Sequence, residues 1–521
     1  MLSFNLKAKI KNNKIHISLI IAFAALIAAF FWAAIPLPKQ LFFYFDQARD
    51  AFSAYGIWHN FHLPILGPMT DIPGLFHGVL WYYFLAIPYA LGNNNFYFTG
   101  YFLLILLFLT LPVCGYLTQK LFNNFFITAT AMILYAFSPL FQISTRWVSN
   151  PVLSLLITPF LLLFLWKYLS KQNTKDAILL GLSLGILIQS NFAFVFFLLL
   201  LPLYYLIFKL KFKITDIIFF IVGLLISLSS YIVAEIKFHG RGILALIHYI
   251  STSHSSASAS NLINLPIAII NKYLEFLSIS LLPFSTFFII LIILAAALIL
   301  FKKILSGLIK DNLKPILFLV IWQLNIILFE LFNTGISRSA FVFLPSLLPL
   351  IILGSYLLYI TVKRKVLLCL IIFVIVCFQI SINLSWITKS LNPLTVQLGM
   401  TYANEQKIVD YTYKASENKQ FTINTITNPL YINTTWAYLY EFYGQSKYKY
   451  LPFWGGRDQN GNLGNLPLTN KPTNIRYLII EPTTGIPDFF VKEAISAENT
   501  KSILINTQKV GNFVVQKRSL K

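Results

Sequence analysis

The sequence predicts a mainly α, polytopic membrane protein with about 11–13 transmembrane helices. It adds interfacial helices in the first outer loop and a small extracytoplasmic α+β domain at the C-terminus. Three observations carry that prediction. Of 521 residues, 57% are apolar and 11% charged, and mean hydropathy is +0.72, far from a soluble domain's balance. Apolar runs of membrane-crossing length recur from the N-terminus to about residue 384, where the composition changes. The lysine clusters between them fall on one side when the runs are threaded in order. That arrangement accounts for the net charge of +22 without nucleic acid as a partner.

Taken in order, a helix of about 20 residues spans the hydrocarbon core. Runs suited to this lie at 15–35, 96–118, 124–139, 152–168, 177–190, 191–208, 215–234, 276–301, 315–333, 340–361 and 366–384. The run 79–91 is short for a crossing and is expected to lie at the interface or re-enter. Leaving it out puts the basic clusters at 7–14, 120, 167–175, 209–213, 302–314 and 363–365 together, on the cytoplasmic side by the positive-inside rule. The chain is then a multi-pass protein of the cell membrane with a cytoplasmic N-terminus. Segments 36–95, 140–151, 235–275, 334–339 and everything after 385 lie outside. The first run is longer than a signal-peptide core and is expected to remain as an anchor. Cys114, Cys369 and Cys377 all sit in apolar runs, with no metal-ligand spacing and no disulfide framework.

The chain divides into a transmembrane domain, 1–384, and an outer domain, 385–521, where Asn, Thr, Lys and Tyr replace the long apolar runs. In the outer domain, 401–416 and 433–443 have helical patterning, and FTINTI, RYLIIEP, KSILIN and NFVVQK read as strands. The aromatic-dense stretch 436–456 suits a packed core, with sugar stacking as the alternative. The serine-rich stretch 251–261 reads as a mobile outer loop.

Charge directly behind the first span is the most informative feature. In FFYFDQARDAFSAYG (42–56), Asp46, Arg49 and Asp50 share one helical face. Further on come HGVLWYY (77–83) and SPLFQISTRWVSNP (138–151). At these three stretches the chain resembles the GT-C superfamily of membrane glycosyltransferases, and most of all its protein O-mannosyltransferase and lipid A aminoarabinose transferase branch. Asp46-Gln47 falls where that branch commonly carries Asp-Glu. HGVLWYY stands in place of His-Pro-Pro-Leu-Tyr-Tyr, and Asn150 occupies a position where Asp is usual.

The resemblance implies a sugar donor carried on polyprenyl phosphate, membrane lipids around it, and an acceptor that is a protein, lipid or glycan. Asp46 is then the candidate general base, and Asp50, one turn on, orients the acceptor or pairs with Arg49. Without the resemblance, the same three side chains are a solvated cluster worth a few tenths of a kcal/mol per pair. A divalent metal is conceivable at Asp46 and Asn150, although the neutral amides of Gln47 and Asn150 are poor ligands for a hard cation.

Arg146 and Arg338 are candidate phosphate ligands, since a guanidinium offers a planar fork of donors; snorkelling to lipid headgroups is the alternative. Arg49, His77, Tyr82, Tyr83, Asn150 and Glu235 complete the candidate substrate-binding set. Glu235 and Glu330 are included as acids at span ends, where burial is costly. A transporter or flippase of lipid-linked sugars would share many of these features but normally shows inverted repeats, which are not evident. A polymerase or ligase of lipid-linked saccharides is closer in chemistry and would be expected to rely on arginines in a large outer loop.

Overall fold

The computed structural model describes residues 2–255, 259–281, 312–331, 340–459, 463–469 and 473–521. Six described helices are long and apolar enough to cross a membrane: Ile17–Ala34, Phe96–Phe122, Asn150–Lys171, Leu313–Leu331, Ala340–Thr361 and Lys365–Lys389. A bent pair, Ile214–Ser227 and Ser229–Lys237, at 64° to one another, meets the same test when taken together, as a broken span or a re-entrant loop. The second of the six is interrupted at Thr110, before Leu111–Phe122. Pro112 explains the break: it lacks an N–H and its ring crowds the carbonyl four residues back.

Other expected runs are helices too short to cross alone. They are Phe125–Phe137 and Leu80–Leu91, the latter as short as the run 79–91 suggested. The apolar stretch 191–208 is a 3-10 turn, Phe192–Leu199, followed by Leu200–Ile207. The expected span at 276–301 lies mostly outside the described residues.

Two helices, Thr174–Ser190 and Ile214–Ser227, cross at near backbone contact. A Cβ on Gly181 would sit 2.1 Å from the Phe220 carbonyl oxygen, and one on Gly223 2.3 Å from that of Ile178. In lipid, where apolar side chains gain little by meeting each other, small residues supply packing of this kind.

The expectation of a mobile loop at 251–261 is corrected. Residues 251–255 are the end of helix Arg241–Ser255 and 259–261 the start of Ala259–Ser280, with 256–258 outside the described residues. Serines do not forbid a helix when flanking residues have helical apolar spacing, as ILALI (243–247) does.

The C-terminal region carries a mixed five-stranded sheet ordered β2-β1-β3-β5-β4, from β1 (Thr422–Ile426), β2 (Phe453–Trp454), β3 (Ile475–Ile480), β4 (Ser502–Val510) and β5 (Phe513–Leu520). The three strands β2, β1 and β3 are parallel, and β5 and β4 add antiparallel. Side chains of alternate residues reach opposite faces. Ile423, Tyr477 and Ile479 accordingly join the main core with Ile408 and Tyr440. Ile426, Leu478 and Ile480 pack on the other face, beneath helix Asp488–Lys501, which the sequence reading did not anticipate.

The stretch 436–456 is chiefly packing: Trp436, Tyr438 and Tyr440 are fully buried. Tyr438 also reaches outward, with ring centroids 5.2 Å from Phe43 and 5.5 Å from Phe52.

Short backbone pairings seat the C-terminal region on the segments before it. Phe42 bridges both Trp147 and Thr401, and Tyr402 N–H donates to the Leu41 carbonyl at 2.9 Å. Just behind this seam lie two fully buried acids, Glu405 and Glu481. Burial and mutual repulsion push the Glu405 carboxyl well up, and burial pushes Glu481 up to about 7.

The folded chain therefore holds protons that the unfolded chain releases near pH 4.5. Stability is expected to fall as pH rises from about 5 to about 8. Among the described residues Glu405 has no hydrogen-bond partner for either oxygen, so Glu405→Gln is expected to flatten that decline by on the order of 1 kcal/mol or more. Melting curves at pH 5 and pH 8 check it, and an equal fall in both proteins would refute the assignment.

Candidate active site at the first outer helix

Helix Phe45–Asn60 begins with a capping box. The Tyr44 N–H donates to Gln47 Oε1 at 3.0 Å, satisfying an orphan donor at the helix start. The other end of the same amide, Gln47 Nε2, donates to the Val148 carbonyl at 2.9 Å. Gln47 is fully buried in this double role. A carboxylate there could accept but not donate, which explains an amide where the GT-C signature has Glu. Asn150 follows the same logic, its Nδ2 donating to the Ser190 carbonyl at 2.7 Å.

A divalent metal does not fit this donor set. Both ends of the Gln47 amide are engaged, and Asp46 is held by a cation. Among the described residues no three His, Cys, Asp or Glu side chains converge.

Three residues on one face form the charged centre. Arg49 Nη1 lies 2.7 Å from Asp46 Oδ1, and Arg49 Nη2 lies 2.7 Å from Asp50 Oδ1. Arg49 Nε adds a second bond to that oxygen at 2.9 Å. The remaining oxygen, Asp50 Oδ2, accepts from Trp81 Nε1 at 2.7 Å. Exposure separates the two acids: the Asp46 side chain is 54% exposed and that of Asp50 only 2%. Burial raises the Asp50 carboxyl to about 6 against the pull of Arg49. Asp50 thus anchors Arg49 from the interior, while Asp46 presents a carboxylate to solvent.

His77 and Tyr82 share this electrostatic neighbourhood, each feeling both Asp46 and Arg49. Burial, with Arg49 nearby, lowers His77 to about 4, so the imidazole is neutral at pH 7. Its Nδ1 accepts from the Phe192 N–H at 3.1 Å, which leaves the proton on Nε2.

Gly78 follows because the chain passes against the end of helix Thr174–Ser190. Its N–H donates to the Gln189 carbonyl at 3.1 Å, and a Cβ there would sit 1.8 Å from Gln189 Oε1 and 2.6 Å from Gln189 Cα. Proline, with neither the N–H nor the space, cannot stand at that position. Beside His77 opens a cavity of about 310 Å³ lined also by Tyr231, Glu235 and Arg241.

The structure therefore brings together Asp46, Arg49, Asp50, His77 and Tyr82, with Glu235 on the adjoining cavity wall. Glu235 also accepts from the Ile243 N–H at 3.3 Å. Other expectations are redirected. Tyr83 donates to the Pro64 carbonyl at 3.0 Å and braces the loop.

Arg146 does not reach headgroups from an exposed span end. It is 1% exposed, with Nη1 unpartnered among the described residues, because its segment is a buried turn whose carbonyl accepts from the Phe42 N–H at 3.0 Å rather than a rim. Glu330 is half-buried and lies near Lys272 and Glu275. Arg338 falls outside the described residues. Trp81, Gln189 and Arg241 were not anticipated: Trp81 reads as one more aromatic of an apolar run until Asp50 is seen against it.

No protein-family model and no curated protein sequence matches the chain. Solved structures do. ArnT from Cupriavidus metallidurans in the apo state aligns with a TM-score of 0.56 and 11% identity, over 96% of this chain and 97% of that one. The same protein bound to undecaprenyl phosphate aligns with a TM-score of 0.58, also at 11% identity and over the same shares. The chain shares the membrane fold of that protein over nearly its whole length.

Proposed function

We propose that this protein is a membrane glycosyltransferase that moves a sugar from a polyprenyl-phosphate donor to an acceptor hydroxyl at the outer face of the membrane. The observation that carries the reading is the half-exposed Asp46 carboxylate, held by Arg49 and backed by buried Asp50 and Trp81. A base must be within reach of the acceptor hydroxyl, and Asp46 is the acid of the cluster that solvent reaches. The complex of ArnT with undecaprenyl phosphate supports a lipid-phosphate donor in this fold.

In the reaction, Asp46 takes the proton of the acceptor hydroxyl as its oxygen attacks the anomeric carbon. The bond from that carbon to the phosphate oxygen breaks, the electron pair leaves with the polyprenyl phosphate, and the configuration inverts. Arg49 offsets negative charge growing on the phosphate, and the neutral imidazole of His77 can donate its Nε2 proton to a phosphate oxygen.

Mass spectrometry of lipids retained by the purified protein tests this. A polyprenyl phosphate, with or without its sugar, is the expected species. Failure to retain any, or to bind added polyprenyl phosphate, would overturn the reading.

A further inference from the structure

At the opposite end of helix Thr174–Ser190 from His77 and Asn150, about 25 Å away along that helix, lies a second cavity. It has a volume of about 550 Å³ and almost wholly apolar walls, including Leu165, Leu169, Ala177, Leu180, Tyr205 and Ile217. Exposed Leu206 and Phe212 lie at its rim, as expected of a slot facing hydrocarbon.

Its mouth is the reverse of apolar. Two turns, 171–173 and 209–213, are clasped there. Gln172 Nε2 donates to the Lys211 carbonyl at 2.8 Å, Lys211 N–H donates back to Gln172 Oε1 at 3.2 Å, and Lys213 Nζ donates to the Gln172 carbonyl at 3.1 Å. The clasp gathers exposed Lys171, Lys175, Lys209, Lys211 and Lys213 on one edge. The acids nearby are withdrawn: Asp176 and Asp216 are buried. Asp216 accepts from Thr174 Oγ1 at 2.9 Å, with the Tyr168 hydroxyl at 3.4 Å.

We infer that this cavity is a binding site for one anionic phospholipid, its acyl chain in the slot and its headgroup phosphate on the lysine edge. Charge selects the occupant. Five exposed cations with no exposed acid facing them among the described residues favour an anionic headgroup over a zwitterionic one, and each lysine near such a surface contributes a factor of about five in affinity. The site is far from Asp46 and independent of the proposed reaction.

The full-length protein, stripped of lipid in detergent, is titrated with phosphatidylglycerol or phosphatidylethanolamine and followed by native mass spectrometry and thermal unfolding. One phosphatidylglycerol is expected to be retained and to raise the melting temperature, with phosphatidylethanolamine doing neither. The triple variant Lys171→Gln, Lys209→Gln, Lys211→Gln changes only exposed side chains and should lower phosphatidylglycerol affinity roughly a hundredfold. Ala177→Phe should fill the slot and abolish retention with every lysine in place. Equal binding of the two phospholipids, displacement of both by polyprenyl phosphate, or undiminished retention by either folded variant would overturn the assignment.

Discussion

Asp46→Asn is expected to lower sugar transfer by about 100- to 10,000-fold, the range contributed by a positioned general base, while leaving donor binding intact. The amide preserves shape and one accepting oxygen for Arg49 but cannot take a proton at neutral pH. Because the Asp46 side chain is 54% exposed and sits at the rim of the charged centre, the substitution should leave the melting temperature nearly unchanged. Transfer from a polyprenyl-phosphate sugar in liposomes, read beside a size-exclusion profile, separates the two effects. A variant that turns over near the normal rate would remove the central residue of the proposed mechanism.

Arg49→Ala is expected to cost both activity and fold. It strands Asp50, which is buried against Trp81 and the helix, and removing one partner of a buried ion pair typically costs about 3–5 kcal/mol. Proton uptake by Asp50, already raised to about 6, should recover part of that loss at acid pH, so the variant is expected to be less unstable at pH 5 than at pH 8. Adding Asp50→Asn removes the stranded charge and should restore stability without restoring transfer. Arg49→Lys should rank between, keeping charge but losing the two-acid fork. If Arg49→Ala unfolds like wild type and Asp50→Asn adds nothing to it, the pair does not act as a buried unit.

How far the site was legible depended on sequence separation. Asp46, Arg49 and Asp50 stand within one and a half helical turns, so helix periodicity alone brings them together. The strands at 422–426 and 475–480 were visible for the same reason, each being a short run of β-formers bounded by polar residues. Gln47 and Asn150 looked like weakened metal ligands, because a signature states which residue type is usual and not what the side chain faces. Their partners are the carbonyls of Val148 and Ser190, 101 and 40 residues away. Gly78 looked like a lapse from proline until Gln189 was placed against it.

What the sequence determined by itself is what local chemistry enforces. Apolar runs must leave water, and a helical face must carry its charges in register. These follow from the residue and its neighbours along the chain, because burial of apolar surface and helix geometry act over a few residues. Only the tertiary structure decided the rest. It sank Asp50 and left Asp46 in solvent, although the two carboxylates are chemically identical. It buried Arg146 and joined segments 42, 147 and 401 into one seam. The reason is physical: desolvation and hydrogen-bond satisfaction depend on which distant groups arrive, and nothing along the chain near Asp50 encodes the arrival of Trp81.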